Sequence, residues 1–192
     1  MAGIAQHEHI GGAAPLWLLE LQGRSSGDLL WDPRFLPCVN RQLEGIRLPS
    51  HNSDLTELLA EFLSGSPGNV EIVEGRYLQL ITSKRHFGRN KALLWIDCQS
   101  PEASAGAVLR LYHRLGEDRV VIGVNTRGPE RQIPPQFLAH AIRWLHSGGN
   151  AVVEIALADS GGRTRFLDPQ MLGLAGLRSP LQRKVKRRRH AK

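Results

Sequence analysis

Apolar and polar positions divide the chain into short segments separated by glycine and proline. Ala14 to Leu21, with four leucines and Trp17, reads as a strand ended by Gly23 and the Ser25-Ser26-Gly27 turn. A loop-rich stretch follows, marked by Pro33, Pro37 and Pro49. Leu55, Leu58, Leu59 and Phe62 then recur at helical spacing behind Asp54, which caps the helix with Glu57 completing a capping box. Val70–Val73 and Tyr77–Ile81 form an expected hairpin turning at Glu74-Gly75. Ala92 to Ile96 is an unbroken apolar run, the pattern of a strand buried on both faces. Ser100 and Pro101 suit a helix start, with Val108, Leu111, Tyr112 and Leu115 as its apolar face. Val120–Val124 is a strand, and Pro134-Pro135 opens a second helix carrying Phe137, Leu138, Ala141, Ile142 and Leu145 inward. Ala151–Ala158 is the last expected strand. Strands alternating with helices predict one α/β domain with a mixed sheet over 15–180, after a flexible segment 1–14.

Charge changes this picture at one end only. The chain of 192 residues has 25 basic and 18 acidic side chains. Seven of the basic ones are Arg183, Lys184, Lys186, Arg187, Arg188, Arg189 and Lys192, so the remainder is neutral and the segment 181–192 carries the excess. Like charges in a block repel and stay extended until they meet an opposite charge, so 181–192 reads as a disordered basic arm. Its expected partner is a polyanion, DNA first, with anionic lipid or an acidic protein as alternatives. Cys38 and Cys98 stand 60 positions apart with no metal or CxxC spacing, which points away from a disulfide scaffold. No 18-residue apolar run is present to form a membrane helix. The expected location is the cytoplasm, with peripheral contact of the arm to the inner membrane as a further option.

Three local candidates carry chemistry. Lys84-Arg85-His86, with Arg89 and Lys91 behind, reads either as an anion pocket at a strand end or as a solvated turn. Asp97, after a buried strand, reads either as a Mg²⁺ ligand or base, or as a loop-ordering aspartate, and Asp159 has the same two readings. His113, His140 and His146 fall on the polar faces of expected helices and form no metal signature.

Residues 54–112 resemble the core of the ParB/sulfiredoxin-like superfamily. The likeness lies in a helix at Asp54–Leu63, a strand at Val70–Val73, and the box Gly75-Arg76-Tyr77-Leu78-Gln79-Leu80-Ile81-Thr82-Ser83-Lys84-Arg85-His86. Leu93-Leu94-Trp95-Ile96-Asp97 and Ser100-Pro101-Glu102-Ala103 continue in register. Ser83 stands where the family has glycine, His86 replaces its second arginine, and the sulfiredoxin cysteine is absent. Within the superfamily the chain resembles the plasmid fertility-inhibition proteins of the Osa/FiwA type, which block DNA export through a conjugative or T-DNA type IV secretion channel. The resemblance implies a metal-dependent DNase with ATP hydrolysis, using ATP and Mg²⁺. It places Lys84, Arg85 and His86 on phosphate, Arg85 and Asp97 in catalysis, no residue as a resident metal ligand, and the arm on DNA. The competing class is a non-catalytic adaptor on DNA or a secretion component. A second likeness, Arg110–Gly116 leading into Val120–Asn125, is to thioredoxin-like proteins and implies a module without redox activity, since CxxC is missing.

Overall fold

The computed structural model describes residues 16–48, 54–65, 67–99, 105–125 and 133–174, so the segments 1–14 and 181–192 fall outside the described residues. Among the described residues, seven strands form one mixed sheet in chain order: β1 (Val70–Val73), β2 (Tyr77–Lys84), β3 (Phe87–Asp97), β4 (Ala105–Arg114), β5 (Glu117–Val124), β6 (Ala151–Asp159) and β7 (Thr164–Leu167). β1 to β5 are an antiparallel meander. β5 and β6 are parallel, joined across the longest helix (Pro135–Ser147), and β7 returns antiparallel. The α/β class and the mixed sheet therefore stand. The described residues include four α-helices: α1 (Ser26–Trp31), α2 (Phe35–Leu43), α3 (Leu55–Leu63) and α4 (Pro135–Ser147).

Side chains along the central strands alternate between two cores. Leu78, Leu80, Leu94, Ile96, Ala107 and Leu109 pack with α1, α2 and α3 on one face. Tyr77, Leu93, Trp95, Val108, Val120 and Ile122 pack with Phe137, Ala141 and Leu145 of α4 on the other. Covering both faces makes the middle strands apolar throughout, as a two-sided sheet requires. Gly106 lets α4 approach closely, because a Cβ there would sit 2.6 Å from the Phe137 ring. The outer edge of β1 is covered by the chain before α1. Gly23 N–H donates to Val70 O at 2.9 Å, Val70 N–H donates to Arg24 O at 2.9 Å, and Ile72 N–H donates to the Gln22 side chain at 2.5 Å. Covered edges resist pairing with other chains.

Several expectations are corrected. Leu16–Leu21 is a 3₁₀ helix, not a strand, and buries Leu18 and Leu21 three positions apart. The stretch expected as loop holds α1 and α2, whose starts follow Ser25 and Arg34. Asp54 does cap α3, accepting from Thr56 N–H at 3.1 Å, while the reciprocal capping box is found at Ser25 and Asp28. The helix expected over Val108 to Leu115 is strand β4 and its following turn, and the Ser100-Pro101 start lies outside the described residues. This removes the helix on which the thioredoxin-like likeness rested. It also departs from the helix that the ParB/sulfiredoxin-like pattern places after its third strand, although the order α3, β1, β2, β3 is present. Leu138 and Ile142 are only partly buried, and His140 takes a core position on α4.

Candidate functional site

The two ends of the sheet differ in chemistry. At one end lie the C-termini of β3, β5 and β6, with Asp97, Asn125 and Asp159. Asp97 and Asp159 share this edge as the sequence allowed, but three strand spacings separate β3 from β6, about 14 Å. Each is fastened by an arginine. Asp97 is buried and accepts from Arg76 at 2.8 and 2.7 Å and from Gln99 N–H at 3.0 Å. Asp159 accepts from Arg163 Nε at 2.9 Å and from the Gly161 and Arg163 backbone at 2.9 and 3.1 Å. Burial alone would raise its pKa, yet the hydrogen bonds from Arg163 and Gly161 hold it below the usual carboxylate value. Both aspartates thus tie their own loops down through these hydrogen bonds.

Arg85 lies at the opposite end of the β2–β3 hairpin, where Lys84 pairs Phe87, while Asp97 pairs Tyr77. Roughly 25 Å of strand separates them, so the two expected catalytic residues do not meet. Nor do Lys84, Arg85 and His86 converge. Lys84 forms an ion pair with Glu61 of α3 at 2.5 Å. Arg85 and His86 make the exposed tip of the hairpin, with His86 at a left-handed φ of 61°. The seven basic side chains of the arm, Arg183 to Lys192, lie outside the described residues.

The residues just behind that tip do form a site. Arg89 and Lys91 of β3, Arg110 and Tyr112 of β4, Asp118 of β5 and Asn150 line a cleft of about 380 Å³, closed at one side by Gly148 after α4. Strand register explains the gathering, since Lys91 pairs Arg110 and Tyr112 pairs Asp118. Arg110 forms the floor. It is 3% exposed, ion-paired with Asp118, and donates to Leu145 O at 3.2 Å and Asn150 O at 3.1 Å. Leu145 lies in the last turn of α4, where a cation is favoured by the helix dipole. Gly148 is needed because a Cβ there would stand 1.1 Å from the Arg110 guanidinium. Asn150 Nδ2 donates to both Asp118 oxygens at 3.2 Å. Arg89 stacks over the Tyr112 ring at 4.8 Å, and Asn90 Oδ1 accepts from Tyr112 N–H at 2.8 Å, which pins the ring's backbone. Three cations face one carboxylate, so the cleft is net positive.

The sequence reading noted Arg89 and Lys91 but missed Arg110, Tyr112, Asp118 and Asn150. The two-residue spacing of Val108, Arg110 and Tyr112, followed by a glycine turn, is the signal that would have found them. A wider depression of about 520 Å³ lies beside Trp31, which is 88% exposed. Its cations Arg24 and Arg34 are balanced by Asp28 and Asp32, so it has no net attraction for an anion.

His140, expected on a polar face, is a structural acceptor. Trp95 Nε1–H and Gln79 Nε2 both approach its Nδ1, at 3.0 and 2.7 Å. Indole only donates, so Nδ1 is the acceptor of the Trp95 bond, and Nε2 lies 3.7 Å from Glu74. Cys98 is buried, and burial pushes its thiol up to about 11, far from the low value of a reactive cysteine. Among the described residues no group of three His, Cys, Asp or Glu is placed to hold a metal ion, and no helix is long and apolar enough to cross a membrane. No family model matches this chain, and no curated protein or solved structure matches it.

Proposed function

We propose that this protein binds DNA at the hairpin end of its sheet, through the Arg89–Lys91–Tyr112 cleft, and that the basic arm adds sequence-independent hold. The observation that carries the proposal is the composition of that cleft: three cations against one carboxylate, beside a pinned and partly exposed aromatic ring. Cations next to an aromatic ring suit a backbone of phosphates and bases, and a buried Arg110 keeps the floor rigid. The proposal is one of holding, not cutting, because Asp97 and Asp159 have their oxygens engaged by Arg76 and Arg163. The fertility-inhibition resemblance supplies its biological form, in which DNA held this way is kept from export through a type IV secretion channel.

Replacing Arg89 and Lys91 together with alanine tests this reading. Both are exposed, so melting should change little, with only the cation–π contact of about 0.5–1 kcal/mol at risk. If each meets one phosphate, the slope of log K against log salt should become shallower by about 1.5–2. An unchanged slope in the folded double variant would overturn the site. Run with Mg²⁺ and ATP, the same titration should return the oligonucleotide intact.

A further inference from the structure

The cleft has features that a duplex cannot use. Tyr112 is 39% exposed, with the Arg89 guanidinium over its ring, 4.8 Å from the centroid, so that a base would stack on the side away from Arg89. A base can stack on such a ring only if its own face is free, and a duplex keeps base faces inside its stack. The apolar surface around the ring points the same way. Leu115, in the cleft wall, is 71% exposed, and Phe87 at the hairpin tip is 61% exposed. Apolar groups mixed with cations match the alternation of bases and phosphates along a single strand, whereas a duplex presents phosphates, sugars and base edges but keeps base faces inside. The volume of about 380 Å³, walled by the end of α4, suits a nucleotide or two and not the width of a double helix.

We infer that this cleft takes single-stranded nucleic acid, with one base stacked on Tyr112 and the neighbouring phosphates on Arg89 and Lys91. The inference rests on the DNA-binding reading above and narrows its ligand. The register sets the layout: Lys91 pairs Arg110, and both lie two residues along their strands from the Arg89–Tyr112 stack, so the two cations are spaced along β3 beside the ring.

The test compares anisotropy titrations of the full chain with a labelled oligothymidylate of about 20 nucleotides and with the same strand paired to its complement. The parent should bind the single strand more tightly. Tyr112→Leu keeps an apolar side chain in place while removing the π face, and should weaken single-strand binding by roughly 5- to 100-fold with duplex binding unchanged. Tyr112→Phe should behave as the parent. Equal loss for strand and duplex, or no loss with Tyr112→Leu, would overturn the inference. Binding that depends on Arg89 and Lys91 but is indifferent to Tyr112 would overturn it while leaving the DNA-binding reading intact. Absence of binding to either form would overturn both.

Discussion

Replacing Asp118 with alanine is expected to lower the free energy of unfolding by about 3–5 kcal/mol, a large share of what a domain of this size commands. The cause is the stranded charge. Arg110 is 3% exposed, and among the described residues Asp118 is its one carboxylate partner, the other acceptors being the backbone oxygens of Leu145 and Asn150. Guanidinium does not lose its proton to escape burial, so it must remain charged or open the structure to water. The pair is not thereby a source of net stability. Changing Arg110 to methionine and Asp118 to leucine together should cost far less than the two single changes summed, because both desolvated charges leave at once. Denaturant unfolding of the two single variants and the double variant measures this. Additive losses would mean that the two side chains do not form an energetic unit.

Trp95→Ala should be comparably damaging, at about 3–5 kcal/mol. The side chain is 1% exposed and lies between the Tyr77 ring at 5.1 Å and the Phe137 ring at 5.5 Å, so its loss opens a cavity between sheet and α4. It would also take the indole donor from His140, leaving Gln79 alone at Nδ1. Trp95→Phe retains the stack and should recover part of the loss, with the unmade hydrogen bond accounting for the remainder. Melting temperatures of the two variants separate packing from hydrogen bonding. Equal destabilisation by alanine and phenylalanine would assign the effect to His140 alone.

What could be read in one dimension was whatever rests on local pattern. The β1–β2 hairpin was legible because Gly75, a residue type that takes positive φ without strain, stands in a tight turn between two short apolar runs. β3 was legible as a run too short for a helix and apolar on both faces. β4 was misread for the same physical reason. With both faces buried over Ala105–Arg110 it has no alternation, and Val108, Leu111, Tyr112 and Leu115 fall by chance at helical spacing. That single error dispersed the site, since Arg110 and Tyr112 meet Lys91 and Arg89 only when β4 lies beside β3.

The aspartates divide along the same line. Arg163, four residues after Asp159, is a partner that local reading can suggest, whereas Arg76 reaches Asp97 across 21 residues and only through the hairpin. His140 looked like a surface residue on an amphipathic helix. Its burial follows from a donor, Trp95 Nε1, supplied by a strand 45 residues away.

The most direct test of DNA binding at the hairpin end is residue-level mapping. Amide chemical shifts of ¹⁵N-labelled full-length protein would be followed during titration with a short oligonucleotide at near-physiological salt. The expected result is a contiguous set of perturbed amides at Arg85 to Lys91 and Arg110 to Gly116, with the opposite edge around Asp97 and Asp159 quiet. Perturbations confined to Arg183–Lys192, or centred on Asp97 and Asp159, would contradict it.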